Sequence, residues 1–158
     1  MRIPLLLAAA GAATMLISCG SEPKAAAPEP STTAAVKPPD ETRRFPMANR
    51  VDTQVIDNHL LDKQFMPGGT LARYKQGQKE YSMFIAKLGN AQDAAFRLLD
   101  WNKALAGSKI EPAFGGYFGQ DGGGPVFVFA KGAWLAGVAG LPEKDADLAA
   151  RSLAAHLD

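Results

Sequence analysis

The chain has 158 residues, with 17 Lys+Arg against 16 Asp+Glu and a formal net charge of +1. A balance this close to neutral offers no electrostatic footprint for nucleic acid and no polybasic patch for anionic lipid. With a single cysteine no intrachain disulfide can form, so stability must come from packing.

The N-terminal stretch combines Arg2 with an uncharged run from Ile3 to Ile17, interrupted only by Pro4. A transmembrane helix needs about 20 apolar residues to cross roughly 30 Å of hydrocarbon. This run is shorter and has the dimensions of a signal-peptide core. It closes on Leu16-Ile17-Ser18-Cys19, with small Ser18 before the cysteine and Gly20-Ser21 after it. These residues resemble the lipobox of bacterial lipoproteins. The resemblance implies cleavage between Ser18 and Cys19 and lipidation of the Cys19 thiol by palmitate-type acyl chains. It also implies attachment to a bacterial cell membrane or outer membrane, with the rest of the chain facing the periplasm or the exterior. Each buried CH₂ contributes about 0.8 kcal/mol, so two or three acyl chains anchor durably where one does not. The same chemistry consumes the only thiol and leaves none for a metal site or a nucleophile. The plainer alternative is a short membrane anchor with an incidental cysteine.

The expected organisation is a signal peptide over 1–18, a lipid-anchored linker over 19–45 and one α+β domain over 46–158. The linker holds Pro23, Pro28, Pro30, Pro38 and Pro39, with Pro46 at its end, spaced by Ala, Ser, Thr, Glu and Lys. Such a segment buries too little apolar surface to offset its ordering entropy and suits an extended tether. Arg43-Arg44 reads as its solvated end.

Within the domain, the segment from Val51 to Phe65 lacks a clear period and reads as a short helix or irregular lead-in. Thr70–Lys75 alternates Leu71, Arg73 and Lys75 against Ala72 and Tyr74; Gln76-Gly77-Gln78-Lys79 can turn, and Tyr81–Leu88 returns, predicting a hairpin. Asn90 suits an N-cap, with Asp93 three residues on. Ala95, Leu98, Leu99 and Leu105, widened by Phe96, predict the buried stripe of a helix that Gly107 ends. A strand is expected through Phe114–Phe118. Val126–Ala130 and Ala133–Val138 predict a second hairpin turning at Lys131-Gly132, with Phe129 opposite Trp134 and Phe127 opposite Ala136. Pro142 opens a last helix with Glu143 and Asp145 in its first turn. Its core stripe is Ala146, Ala149, Ala150, Leu153, Ala154 and Leu157. The elements predict a mostly antiparallel sheet of about five strands with two helices packed on one face, in the order β-β-α-β-β-β-α.

Residues for chemistry are sparse. His59 lies near Asp57 and Asp62, but the spacing matches no motif with a mechanism, and His156 reads as a cation near a helix C-terminus. Asp100, Glu111 and Asp121 are the carboxylates that could pair in a hydrolase. The glycine runs 115–119 and 122–124 fit neither a dinucleotide-binding loop nor a P-loop, and no cofactor or metal site is expected. The aromatic residues Trp101, Tyr117, Phe118 and Trp134 read first as core, and otherwise as a pocket or patch for an apolar ligand or an envelope protein.

Three segments, Gly68–Tyr74, Phe114–Gly119 and Phe129–Trp134, are similar to an uncharacterised family of exported bacterial proteins, a resemblance that implies no activity. The reading is a membrane-anchored envelope lipoprotein whose domain binds a ligand or partner. The alternatives are an envelope hydrolase using carboxylates or His59, and a purely structural lipoprotein.

Overall fold

The computed structural model describes residues 37–158 except Ala113. Its strands are β1 (Arg50–Asn58), β2 (Pro67–Gln76), β3 (Lys79–Lys87), β4 (Ala106–Glu111), β5 (Gly116–Asp121), β6 (Gly124–Lys131) and β7 (Trp134–Ala139); its helices are α1 (Ala91–Ala104) and α2 (Glu143–Ala154). The strands form one sheet in the order β1-β2-β3-β7-β6-β5-β4, and every neighbouring pair is antiparallel. α1 carries the chain from β3, beside the centre, across three strands to β4 at the edge.

Two parts of the expected architecture are overturned. The sheet has seven strands, not about five. The helices also lie on opposite faces rather than on one: Leu98, Trp101 and Leu105 pack with Phe84, Ala86, Val128 and Leu135, whereas Ala146, Ala150, Leu153 and Leu157 pack with Ile85, Phe127, Phe129 and Ala136. We call these the front and back faces. The reason is that the central strands are apolar on both sides. Phe84, Ile85, Val128, Phe129, Leu135 and Ala136 are each at most 1 % exposed, and a single helix layer would leave half of them wet.

The turns set the registers. Gly77 (φ 61°) and Gly132 (φ 55°) each take the first central position of a two-residue hairpin. In the second hairpin this shifts the expected pairing by two residues: Phe129 faces Ala136 and Phe127 faces Val138. A shift of two preserves the faces. Gly137 lies where the Phe84 ring needs room, since a Cβ there would come within 2.4 Å of the ring. α1 is capped as its sequence indicates, with Asn90 accepting from the Asp93 N–H at 2.9 Å. It is rotated from the expected stripe, however: Ala94, Leu98 and Trp101 are buried, while Phe96 and Leu99 are 55 % and 45 % exposed.

The back face is only half covered by α2, which lies over β6 and β7. The chain from Asp40 to Pro46 forms a strap over the rest. Thr70 is a fully buried hydroxyl on β2 and accepts from the Glu41 N–H at 3.2 Å. The Thr42 hydroxyl donates to that of Thr53 on β1 (3.0 Å). The Arg44 guanidinium lies 4.5 Å from the centre of the Trp134 ring and donates to the carbonyls of His156 and Asp158 beyond α2. Phe45 is 1 % exposed and joins the back-face core.

Tyr74 completes the strap's seat. It stacks on Tyr81 directly across the strands (4.9 Å) and donates its hydroxyl to the Pro46 carbonyl at 2.9 Å. Burial pushes its pKa up to about 12 from 10.0. Between those values the unfolded chain has lost this proton and the folded one has kept it, so the folded state binds more protons. The stabilisation is therefore whole below pH 10 and falls away as pH rises towards 12. Burial raises Tyr81 as well. Tyr74→Phe is expected to lose about 1 kcal/mol at neutral pH and to flatten, without abolishing, the alkaline decline; urea titrations at pH 8, 10 and 11 measure both.

Candidate functional site

α1 and the loop Leu60–Met66 cover most of the front face. The loop is anchored by Leu60 and Met66, at 0 % and 2 % exposed, and the Trp101 indole N–H donates to the Met66 sulfur at 3.1 Å. What they leave uncovered is one end of β1, β2, β3 and β7. There Asp52 faces Arg73 across the strands, Arg73 faces Ser82, and Ser82 faces Ala139. This polar row and Lys75, Glu80 and Gly140 line an open groove of about 540 Å³. It continues, through shared Gly123, Ala139 and Gly140, into a second depression of about 270 Å³ bounded by Leu61, Asp62 and Asp121.

The groove's rim carries both signs of charge. Asp52 and Arg73 stand 3.7 Å apart, and Lys75 and Glu80 pair at 2.8 Å. The hydrogen bond between the latter two raises the Lys75 pKa and lowers that of Glu80. At the far end Lys63 pairs with Asp121 at 2.6 Å, with both side chains less than a quarter exposed. That pair ties the Leu60–Met66 loop to the β5–β6 turn.

Two local features set this groove apart. His59, Leu61 and Asp62 all have φ between 52° and 58°, a left-handed conformation that is unfavourable for a bulky residue such as leucine. Strain of this kind persists only where the surroundings impose it, and it concentrates at functional sites. Opposite, Gly122 and Gly123 have neither a positive φ nor any atom within 4 Å of a notional Cβ. Neither packing nor backbone geometry requires glycine there.

The aromatic residues singled out from the sequence are not brought together. Trp101 is fully buried beneath α1, and Phe118 and Trp134 are buried on the opposite face at 8 % and 5 % exposure; Tyr117 is half-buried on the front. Both the Arg44 guanidinium and the Lys87 ammonium lie over the Trp134 ring, the latter 5.3 Å from its centre. The carboxylates are likewise scattered. Asp100 pairs with Arg97 along α1, Asp121 with Lys63 at the groove's end, and Glu111 stands at the β4 edge beside Glu143, whose carboxyl raises its pKa. His59 is exposed, and the His156 ring lies against the Ser152 carbonyl at 2.8 Å. Among the described residues no group of three or more His, Cys, Asp or Glu could hold a metal. No helix among them is long and apolar enough to cross a membrane. Ser18 and Cys19 lie outside the described residues.

Sequence reasoning missed the groove because its residues come from four strands and two loops. In the sequence only the glycine run 122–124 lies at its edge. Comparison of the chain with protein-family models, with curated proteins and with solved structures gives no match.

Proposed function

We propose that the protein is a lipid-tethered envelope domain that binds an extended polypeptide segment of a partner in its front-face groove. The tether rests on the run Leu16-Ile17-Ser18-Cys19 and on the cysteine's being single. The binding role rests on one observation: the groove lies between a strained loop at Leu61-Asp62 and a turn whose glycines serve no internal need. Its paired charges, Asp52 with Arg73 and Lys75 with Glu80, suit a polar main chain.

A photo-crosslinking side chain at Gly123 of the full chain, expressed in a bacterial envelope, tests the groove against the same side chain at Leu148, which is exposed on α2. Adducts of defined mass are expected from position 123 and absent from 148. Equal yields at both positions, or none at 123, would remove the groove from consideration. The tether is read separately by mass: Cys19 should carry acyl chains, and Cys19→Ser should release the domain from the membrane.

A further inference from the structure

β1 and β4 are the two edges of the sheet, and every second residue of an edge strand turns its N–H and C=O away from the sheet. Such a row is ready to pair with another chain, and folds commonly close it with a short strand, a break in register or a lysine. β4 is closed in this way. It has six residues, a register break between Ala106 and Lys109, and Lys109 in its outer half. β1 is not closed. It has nine residues and contains neither lysine nor proline. Its one register break lies between Arg50 and Asp52, and from there to Asn58 it runs in register with β2. Among the described residues, only β2 gives hydrogen-bond partners to the backbone of Val51–Asn58. We propose that the outer edge of β1 is a strand-addition site for an extended, basic segment of another protein. The site does not depend on the front-face groove, with which it shares only Val51 and Asp52.

The charges along β1 select the occupant. Asp52 and Asp57 stand five residues apart, hence on opposite faces of the strand, and both are exposed. Asp57 enters no ion pair among the described residues. Asp52 lies 3.7 Å from an Arg73 whose own side chain is more than half exposed. Arg50, the one cation of the strand, is held by the carbonyls of Thr42 and Phe45. A second copy's β1 would bring two further carboxylates to this edge, and like charges across strands are destabilising. A strand with two cations five residues apart, and β-branched residues between them, meets both carboxylates while its main chain completes the ladder.

The probe is a synthetic peptide, Lys-Thr-Val-Thr-Val-Lys, blocked at both ends and added to the full-length chain while amide hydrogen exchange is followed. At about ten times its Kd, the outward amides of Val51–Asn58 are expected to exchange roughly tenfold more slowly, and those of β4 at an unchanged rate. Two N-methylated peptides then separate a main-chain ladder from simple charge attraction. Methyl groups on alternate residues block the ladder in one set of positions and face solvent in the other, so one peptide should lose binding and the other should keep it. Asp57→Asn should weaken the unmodified peptide about threefold, and a peptide with Glu in place of both Lys should not bind. No slowing over Val51–Asn58, or the same effect from both methylation patterns, would overturn the proposal. So would slowing at Arg73, Ser82 and Ala139 without β1, which would leave the groove as the polypeptide site.

Discussion

Phe45→Ala is expected to lower the unfolding free energy by about 3–5 kcal/mol, the usual cost of emptying a buried aromatic site. Domains of this size have about 5–15 kcal/mol in all, so one residue beside a proline-rich stretch would hold a large share of the fold's stability. The physical case is direct. The ring is 1 % exposed and packed in the back-face core, and the same stretch of chain supplies both partners of the buried Thr70 hydroxyl, the Glu41 N–H and the Pro39 carbonyl. Removing residues up to Pro46 should cost more than the single substitution, because it orphans Thr70 and Tyr74 as well. Urea denaturation of the full chain, the variant and a chain beginning at Met47 measures the series. A loss below about 1 kcal/mol for Phe45→Ala would mean that the strap frays independently of the sheet.

The strap shows where sequence reading stops. Phe45 is the only aromatic residue between Gly20 and Pro46, and composition averaged over that stretch conceals it. The two unexpected strands fail to show for a related reason. β1 is an edge strand with a register irregularity after Arg50 and mixed exposure along its length, so its apolar residues never alternate cleanly. β4 carries Gly107 at φ 61° and a second irregularity; the glycine that reads as a helix stop is the bulge that begins an exposed strand. The inner hairpins were legible because their alternation is strong. That alternation also held the clue to the helices, since Val128 and Leu135 point away from Phe127 and Ala136. A strand apolar on both faces needs cover on both, and placing two helices together ignored it. The groove was illegible for a different reason: what defines it is the absence of cover over residues that look like ordinary strand and turn.

Trp101→Ala is expected to destabilise the fold by about 3–5 kcal/mol, which separates the two meanings a tryptophan in this sequence could carry. In a binding surface its loss would weaken a partner and leave unfolding nearly unchanged. Its surroundings point the other way. The indole is fully buried, stacks on Phe84 at 5.8 Å and meets Phe65 edge-on at 5.5 Å, so it joins α1, β3 and the Leu60–Met66 loop. Trp101→Phe keeps most of the buried area and the aromatic contacts but gives up the N–H donated to Met66, and should cost less than half as much. The loop held by Trp101 also carries Leu61 and Asp62 into the groove. Trp101→Ala should therefore weaken adduct formation from Gly123 even at temperatures where the chain remains folded, through a loosened wall and not a lost contact. Full adduct yield from a folded Trp101→Ala chain would show that the strained loop keeps its shape without the core beneath it, and would detach the groove's geometry from the packing that we hold responsible for it.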